Sequence, residues 1–259
     1  MDHPAAVARL NRLNSRLCIE SEVGFRYSDQ VDATTFDAHV RVPSLEPAAP
    51  SRQRPATVRG ARTRAALIAA ARKVFERDGY VDCKLTDITK AAKCATGSFY
   101  TYFANKAEIL AAVLDEAQRD MMHPGMGRVA DDDDPYAVLE ASNRAYLEAY
   151  RRNANLMGLL EQVAQVDPEF RQFRRRRAEA FIQRNARGIA DLQARGIADP
   201  DIDPLLASSA LSGMVSRAAY SVFTLGESED ADGEPPEFEA LVSTLTRLWA
   251  NALRFPGHR

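Results

Sequence analysis

Three runs of helical periodicity, separated by stops too tight for anything but turns, constrain this chain more than any other feature. Residues 61–78 place Leu67, Ile68, Ala71, Val74 and Phe75 at helical spacing, and Gly79 follows as a stop. A short second segment, from about Leu85 to Ala92, buries Leu85, Ile88 and Ala92. A turn at Lys93-Cys94 leads into a third, residues 97–106, where Phe99 and Phe103 stand four apart and can anchor one face in a small core. Thr96, Gly97, Tyr100 and Thr101 fall on the opposite face as small, hydroxylic or aromatic groups. A surface helix with hydroxyls and no salt-bridge charges suits phosphates and base edges better than water alone. Three short helices, the last two joined by a tight turn, make the layout of a helix-turn-helix DNA reader.

From Arg59 to about Leu110 the register is more specific than that layout requires. Phe75, Gly79-Tyr80, Asp87-Ile88, Ala92, Gly97-Ser98-Phe99-Tyr100, Tyr102-Phe103, Lys106 and Leu110 together resemble the tetracycline-repressor-like (TetR/AcrR) transcriptional regulators. The resemblance implies an all-α fold, with an N-terminal three-helix helix-turn-helix domain followed by a helical ligand-binding and dimerisation domain. It also implies that Thr96, Gly97, Tyr100 and Thr101 lie nearest the bases, while Thr86, Ser98, Tyr102 and Lys106 contact phosphates. The chain departs from the family pattern in how this head is mounted. Lys84 stands where a hydroxyl residue commonly caps the second helix, which costs roughly 1 kcal/mol. Ile88-Thr89 replaces an Ile-Ala pair, and Lys93-Cys94-Ala95 replaces a Gly-Val-Ser turn. A left-handed Lys93 costs roughly 1 kcal/mol more than Gly, and Ala95 removes a cap from the third helix.

The overall net charge of −2 and pI near 6.1 hide a strong asymmetry. Ser51 to Lys106 holds 12 Lys or Arg against 4 Asp or Glu, a balance of +8. With 34 basic and 36 acidic residues in all, the remainder carries 22 against 32, or −10. Such a division fits a DNA-reading head on an acidic body, because phosphate attraction is screened within about 10 Å. Three scattered cysteines argue for a reducing compartment, with Cys94 a small core filler. No apolar run approaches the roughly 20 residues of a membrane span, nor does the N-terminus show the layout of a signal peptide. These features predict a cytoplasmic protein with no membrane partner.

Residues 1–58 read as a flexible N-terminal extension, with one weak amphipathic stretch at Val7, Leu10, Leu13 or Asn14, and Leu17, and a Pro/Ala/Ser/Arg linker after it. Two other readings stand beside the tail. Arg52, Arg54 and Arg59 could form a basic arm reaching phosphates or a minor groove. Alternatively, the segment is a start-site artefact, since Val58-Arg59-Gly60 resembles a family opening. Residues 59–106 then form the DNA-binding domain and 107–259 the helical body.

In the body, Asn105 to Met122 continues as a linking helix. Asp134-Pro135, Asp167-Pro168 and Asp203-Pro204 each set a capping Asp before a Pro at the first helical position. The acidic run Asp131–Asp134 suits a helix N-terminus better than a metal. Arg174–Arg177 read as mostly solvated or paired with nearby acids, with an anionic ligand group or partner as the other reading. The last helix takes Leu241, Leu245, Leu248 and Leu253 as its apolar positions. No triad, paired-carboxylate or metal motif is present among four scattered His residues, so no enzyme, cofactor or metal is expected.

The resemblance further implies a homodimer built from the last two long helices and a small-molecule pocket within the body. Candidates for the lining are Met122, Tyr146, Tyr150, Met157, Leu160, Phe170, Phe181, Met214 and Tyr220. They favour a lipophilic effector that releases a repressor from its double-stranded DNA operator. The runner-up class is a diverged helical dimer that binds a ligand or protein partner without sequence-specific DNA binding.

Overall fold

The computed structural model describes residues 57–122, 134–227 and 234–255. Residues 1–56 of the extension, with Arg52 and Arg54, lie outside the described residues, as do Asp131–Asp133 of the acidic run. Among the described residues every regular element is helical: α1 Val58–Asp82, α2 Leu85–Ala91, α3 Thr96–Tyr102, α4 Lys106–Met121, α5 Pro135–Arg152, α6 Ala154–Val166, α7 Pro168–Ala194, α8 Pro204–Tyr220 and α9 Phe238–Ala252. The expected all-α class is observed.

α1 to α3 and the start of α4 enclose a small core of Leu67, Ile68, Ala71, Val74, Phe75, Ile88, Phe99, Phe103, Ile109 and Leu110, all buried. Gly79 stops regular helix as expected, but by a kink: at φ 74° and ψ −178° it breaks α1, and Tyr80–Asp82 follow beyond it. Only a residue without Cβ takes that backbone cheaply. The third helix is shorter than its periodicity suggests. It ends at Tyr102, and Phe103 is extended (φ −138°, ψ 133°) while its side chain still reaches the core. The chain then needs Asn105, whose Oδ1 accepts from the Glu108 amide at 2.9 Å, to start α4, and Glu108 Oε2 in turn accepts from the Ala104 amide at 2.5 Å. That reciprocal cap fixes the angle at which α4 leaves the head.

The body's helix starts follow local chemistry closely. Asp134 Oδ1 accepts from the Tyr136 amide at 3.0 Å, Asp167 Oδ1 from Glu169 at 2.8 Å, and Asp203 Oδ1 from Leu206 at 2.7 Å, with Pro at the next position each time. α7 ends at Arg195, where Gly196 takes φ 70°. α8 runs into a π-helical turn, Ser221–Leu225, which the sequence does not announce. The turn packs against Gly158 of α6, where an added Cβ would lie 2.8 Å from Thr224 Cγ2, and Thr224 Oγ1 donates to the Ala154 carbonyl at 3.3 Å. α5 and α9 are joined by a buried Asn143–Thr246 hydrogen bond (3.1 Å) and by Arg144, which meets both carboxylate oxygens of Glu239 at 2.6 and 2.7 Å.

Head and body are tied at more than one place. Arg152 Nη2 and Asn153 Nδ2 donate to the two oxygens of Asp120 near the end of α4, at 3.0 and 2.8 Å, and hold its carboxyl below the usual range. Arg72 of α1 donates to the Arg152 carbonyl at 3.1 Å. Tyr80, just past the kink, meets the ring of Phe170 in α7 edge-on, with centroids 6.2 Å apart.

Candidate nucleic-acid interface

α3 presents two faces. Phe99 packs at 5.8 Å from Phe103, between centroids, while Thr96, Gly97, Tyr100 and Thr101 are exposed. Tyr100, 45% exposed, braces its ring edge-on against Phe99 at 5.4 Å and so projects from a rigid base. Thr86 is exposed at the start of α2, and Ser98 and Tyr102 are half-buried at the flanks of α3. The eight residues expected to touch DNA thus divide into four on the outward face, three beside it, and Lys106.

Lys106 is placed otherwise than the resemblance implies. Its ammonium turns back into the head and donates to the carbonyls of Tyr80, Val81 and Cys83 at 2.6, 3.2 and 3.1 Å, while lying 4.7 Å from the centre of the Tyr80 ring. An ammonium has three donors, and all three are engaged. The kink at Gly79 frees carbonyls at the end of α1, and Lys106 satisfies them across 23 to 26 residues of sequence. In the DNA-free chain it is a cap on the end of α1.

The mounting is as spare as the sequence suggests. Lys84 and Ala95 precede α2 and α3 with no side-chain cap, and Lys93 sits in the left-handed region at φ 52°. The Cys94 amide closes the turn on the Thr89 carbonyl at 3.0 Å, and the half-buried Cys94 thiol is pushed up by burial. Restoring Thr at 84, Gly at 93 and Ser at 95 together is expected to stabilise the head by about 2 kcal/mol. A melting temperature unchanged in the triple variant would contradict this account of the turn.

In the body the pocket candidates separate. Tyr146, Tyr150 and Phe181 form one chain of rings, Tyr146 lying 5.9 Å from Tyr150 and 5.5 Å from Phe181. Tyr150 continues to Phe223 of the π-turn at 6.4 Å. Burial raises the pKa of both phenols, so both stay protonated through neutral pH. Met122 joins this region through its carbonyl, which accepts from Arg184 Nη1 at 3.3 Å. Phe170 does not: it is buried against Tyr80 at the head–body seam. Met157 and Leu160 are buried in the packed face of α6, while Met214 and Tyr220 are half-buried on α8. Sequence reasoning missed Arg184 and Gln118, and gave Arg177 only as one member of a basic run that an anionic group could meet. Arg177 and Arg184 both stack over Phe181, at 5.6 and 5.4 Å, and a four-residue arginine run gave no sign that its last member turns inward.

A kinked three-helix head bearing an exposed hydroxyl-and-tyrosine face, carried on an all-helical body, defines the helix-turn-helix regulator class. Residues 67–113 match the family model for bacterial regulatory proteins of the tetR family. The transcriptional regulator TtgR of Pseudomonas putida is 32% identical over 99 residues, which cover 36% of this chain and 47% of TtgR, so the chain spans about half the length of that relative. The regulator EthR of Mycolicibacterium smegmatis is 22% identical over 206 residues, 79% of this chain and 92% of EthR. The fold is shared with the fatty acid degradation regulator FadR from Bacillus halodurans (TM-score 0.59, 19% identity, 74% of this chain and 97% of FadR). It is equally that of a TetR transcription regulator from Haloarcula marismortui (TM-score 0.59, 16% identity, 74% and 96%).

Proposed function

We propose that the chain is a dimeric, ligand-responsive transcriptional regulator acting in the cytoplasm, a repressor that a small effector releases from its operator. The observation that carries this reading is α3 itself: Phe99 is anchored in the head core, while Thr96, Gly97, Tyr100 and Thr101 all face outward. Thr86, Ser98 and Tyr102 flank that face as phosphate contacts, and Lys106 acts behind it as a cap. Reading two half-sites about 34–36 Å apart needs two heads related by a two-fold axis. The second copy is proposed to dock on α8 and α9, where Leu206 (70% exposed) and Leu248 (47% exposed) leave apolar surface that an intrachain core does not use. Ser212 of α8 is turned toward its own chain, accepting from Asn185 Nδ2 of α7 at 3.0 Å. The effector is proposed to lie against Tyr146, Tyr150 and Phe181 near the end of α4, where it can bias the orientation of the heads.

Mobility shift on DNA from upstream of the protein's own gene tests this. The wild-type protein is expected to form a specific, salt-sensitive complex. Tyr100→Ala should weaken it roughly 10- to 100-fold, the worth of a good base contact, without changing the melting temperature. Leu206→Glu should sediment as a monomer and lose the complex. If wild type forms no specific complex at low salt, or Tyr100→Ala matches it, the DNA-free ligand or partner module is the better reading.

A further inference from the structure

Two polar groups inside the body lack the partners that burial ordinarily demands. Gln118 of α4 is 3% exposed, and neither its Nε2 nor its Oε1 makes a hydrogen bond among the described residues. Arg177 of α7 has a buried Nε with no acceptor, and its Nη2 donates only to the Met121 sulfur at 3.1 Å, a weak acceptor. The two converge on one place, because Met121 lies one turn beyond Gln118 on the same buried face of α4. A guanidinium is always charged, yet Arg177 meets no carboxylate among the described residues. Glu161, on the neighbouring α6, is taken by Arg174 at 2.5 Å. Around Arg177 stand the Phe181 ring, 5.6 Å away, and the half-buried Tyr146 phenol.

A half-buried cation without an acid and a buried amide with both ends open are each costly, and such groups call for a partner: ordered water, an ion or a ligand. Arg177 brings one positive charge, beside one amide and one phenol, to the end of a wall of aromatic rings. Resting on the effector reading above, we infer that the effector is a monoanion: a carboxylic acid with a largely apolar body. Its carboxylate pairs with the Arg177 guanidinium and takes the Gln118 amide and Tyr146 hydroxyl as further partners, and its apolar part lies along Tyr146, Tyr150 and Phe181. A carboxylate fits because it accepts two parallel guanidinium hydrogens with a single charge. Recognition would occur at the last turn of α4, the helix that leads to the head.

The test uses the full-length protein and a panel of straight-chain (C8 to C14) and aryl carboxylic acids, each paired with its methyl ester, with affinities read by calorimetric titration. At least one acid is expected to bind roughly 10- to 100-fold more tightly than its ester. Arg177→Met should erase that preference while leaving ester binding in place, and Arg175→Gln, an exposed neighbour in the same run, should keep it. Gln118→Leu should weaken acid binding yet raise the melting temperature of the ligand-free protein by roughly 2–4 °C. The inference is overturned if no acid binds, if acid and ester bind equally, or if Arg177→Met keeps the preference. An operator complex that survives those results leaves the regulator reading standing. Conversely, acid preference without any operator complex removes the regulator reading alone.

Discussion

Phe99→Ala is expected to lower the stability of the protein by about 3–5 kcal/mol, the usual range for emptying a buried phenylalanine site. The ring is fully enclosed and touches both Phe103 and Tyr100, so its removal opens a void that seven residues of helix cannot close by shifting. α3 would lose the anchor that turns its other face outward, and specific DNA binding should disappear with it. A circular-dichroism melt should show the transition falling by roughly 10 °C. Phe99→Leu, which keeps most of the volume, should lose much less. A melt within 2 °C of wild type for the alanine variant would mean that the head core is held by something other than this cluster.

The second large effect belongs to Lys106→Met. The ammonium satisfies three carbonyls released by the Gly79 kink and covers the Tyr80 ring, so losing it should cost about 2–3 kcal/mol. Operator affinity should fall as the head loosens. The salt dependence distinguishes this role from a phosphate contact. Removing a phosphate contact shallows the slope of log K against log salt by about 1, whereas removing an internal cap leaves the slope as it was. A slope reduced by a full unit in Lys106→Met would place the ammonium on DNA after all.

The contrast between these two positions shows what local sequence can and cannot say. Phe99 and Phe103 declare themselves by spacing. The three Asp-Pro starts in the body do so by chemistry confined to adjacent residues, and all three form as read. The left-handed Lys93 is equally local, since a tight turn in that register leaves no other backbone. Lys106 is a different case. A lysine that caps a helix 23 residues upstream looks, in sequence, the same as one that faces solvent. Periodicity likewise buries Phe170 without saying that its neighbour is Tyr80. In the run Arg174–Arg177, one arginine pairs with an acid, Glu161, and another turns toward Met121 and Phe181. Whether a charge is solvated or enclosed depends on helices that meet only after folding. The π-turn at Ser221–Leu225 is hidden for the same reason, because it is fitted to Gly158 on another helix.

The helix α4 spans 16 residues, about 24 Å from end to end. It is gripped at one end by Asp120 with Arg152 and Asn153, and at the other by the reciprocal Asn105–Glu108 cap. Held this way it acts as a lever arm rather than a tether. A tilt of about 5° pivoting near Met121 carries the far end through about 2 Å. In the two-fold pair proposed above, the separation of the heads would then change by about 4 Å, slightly more than the roughly 3.4 Å rise of one base step. An adjustment no larger than a side-chain repacking at the Met121 end is therefore enough to put one head a full base pair out of register with the other.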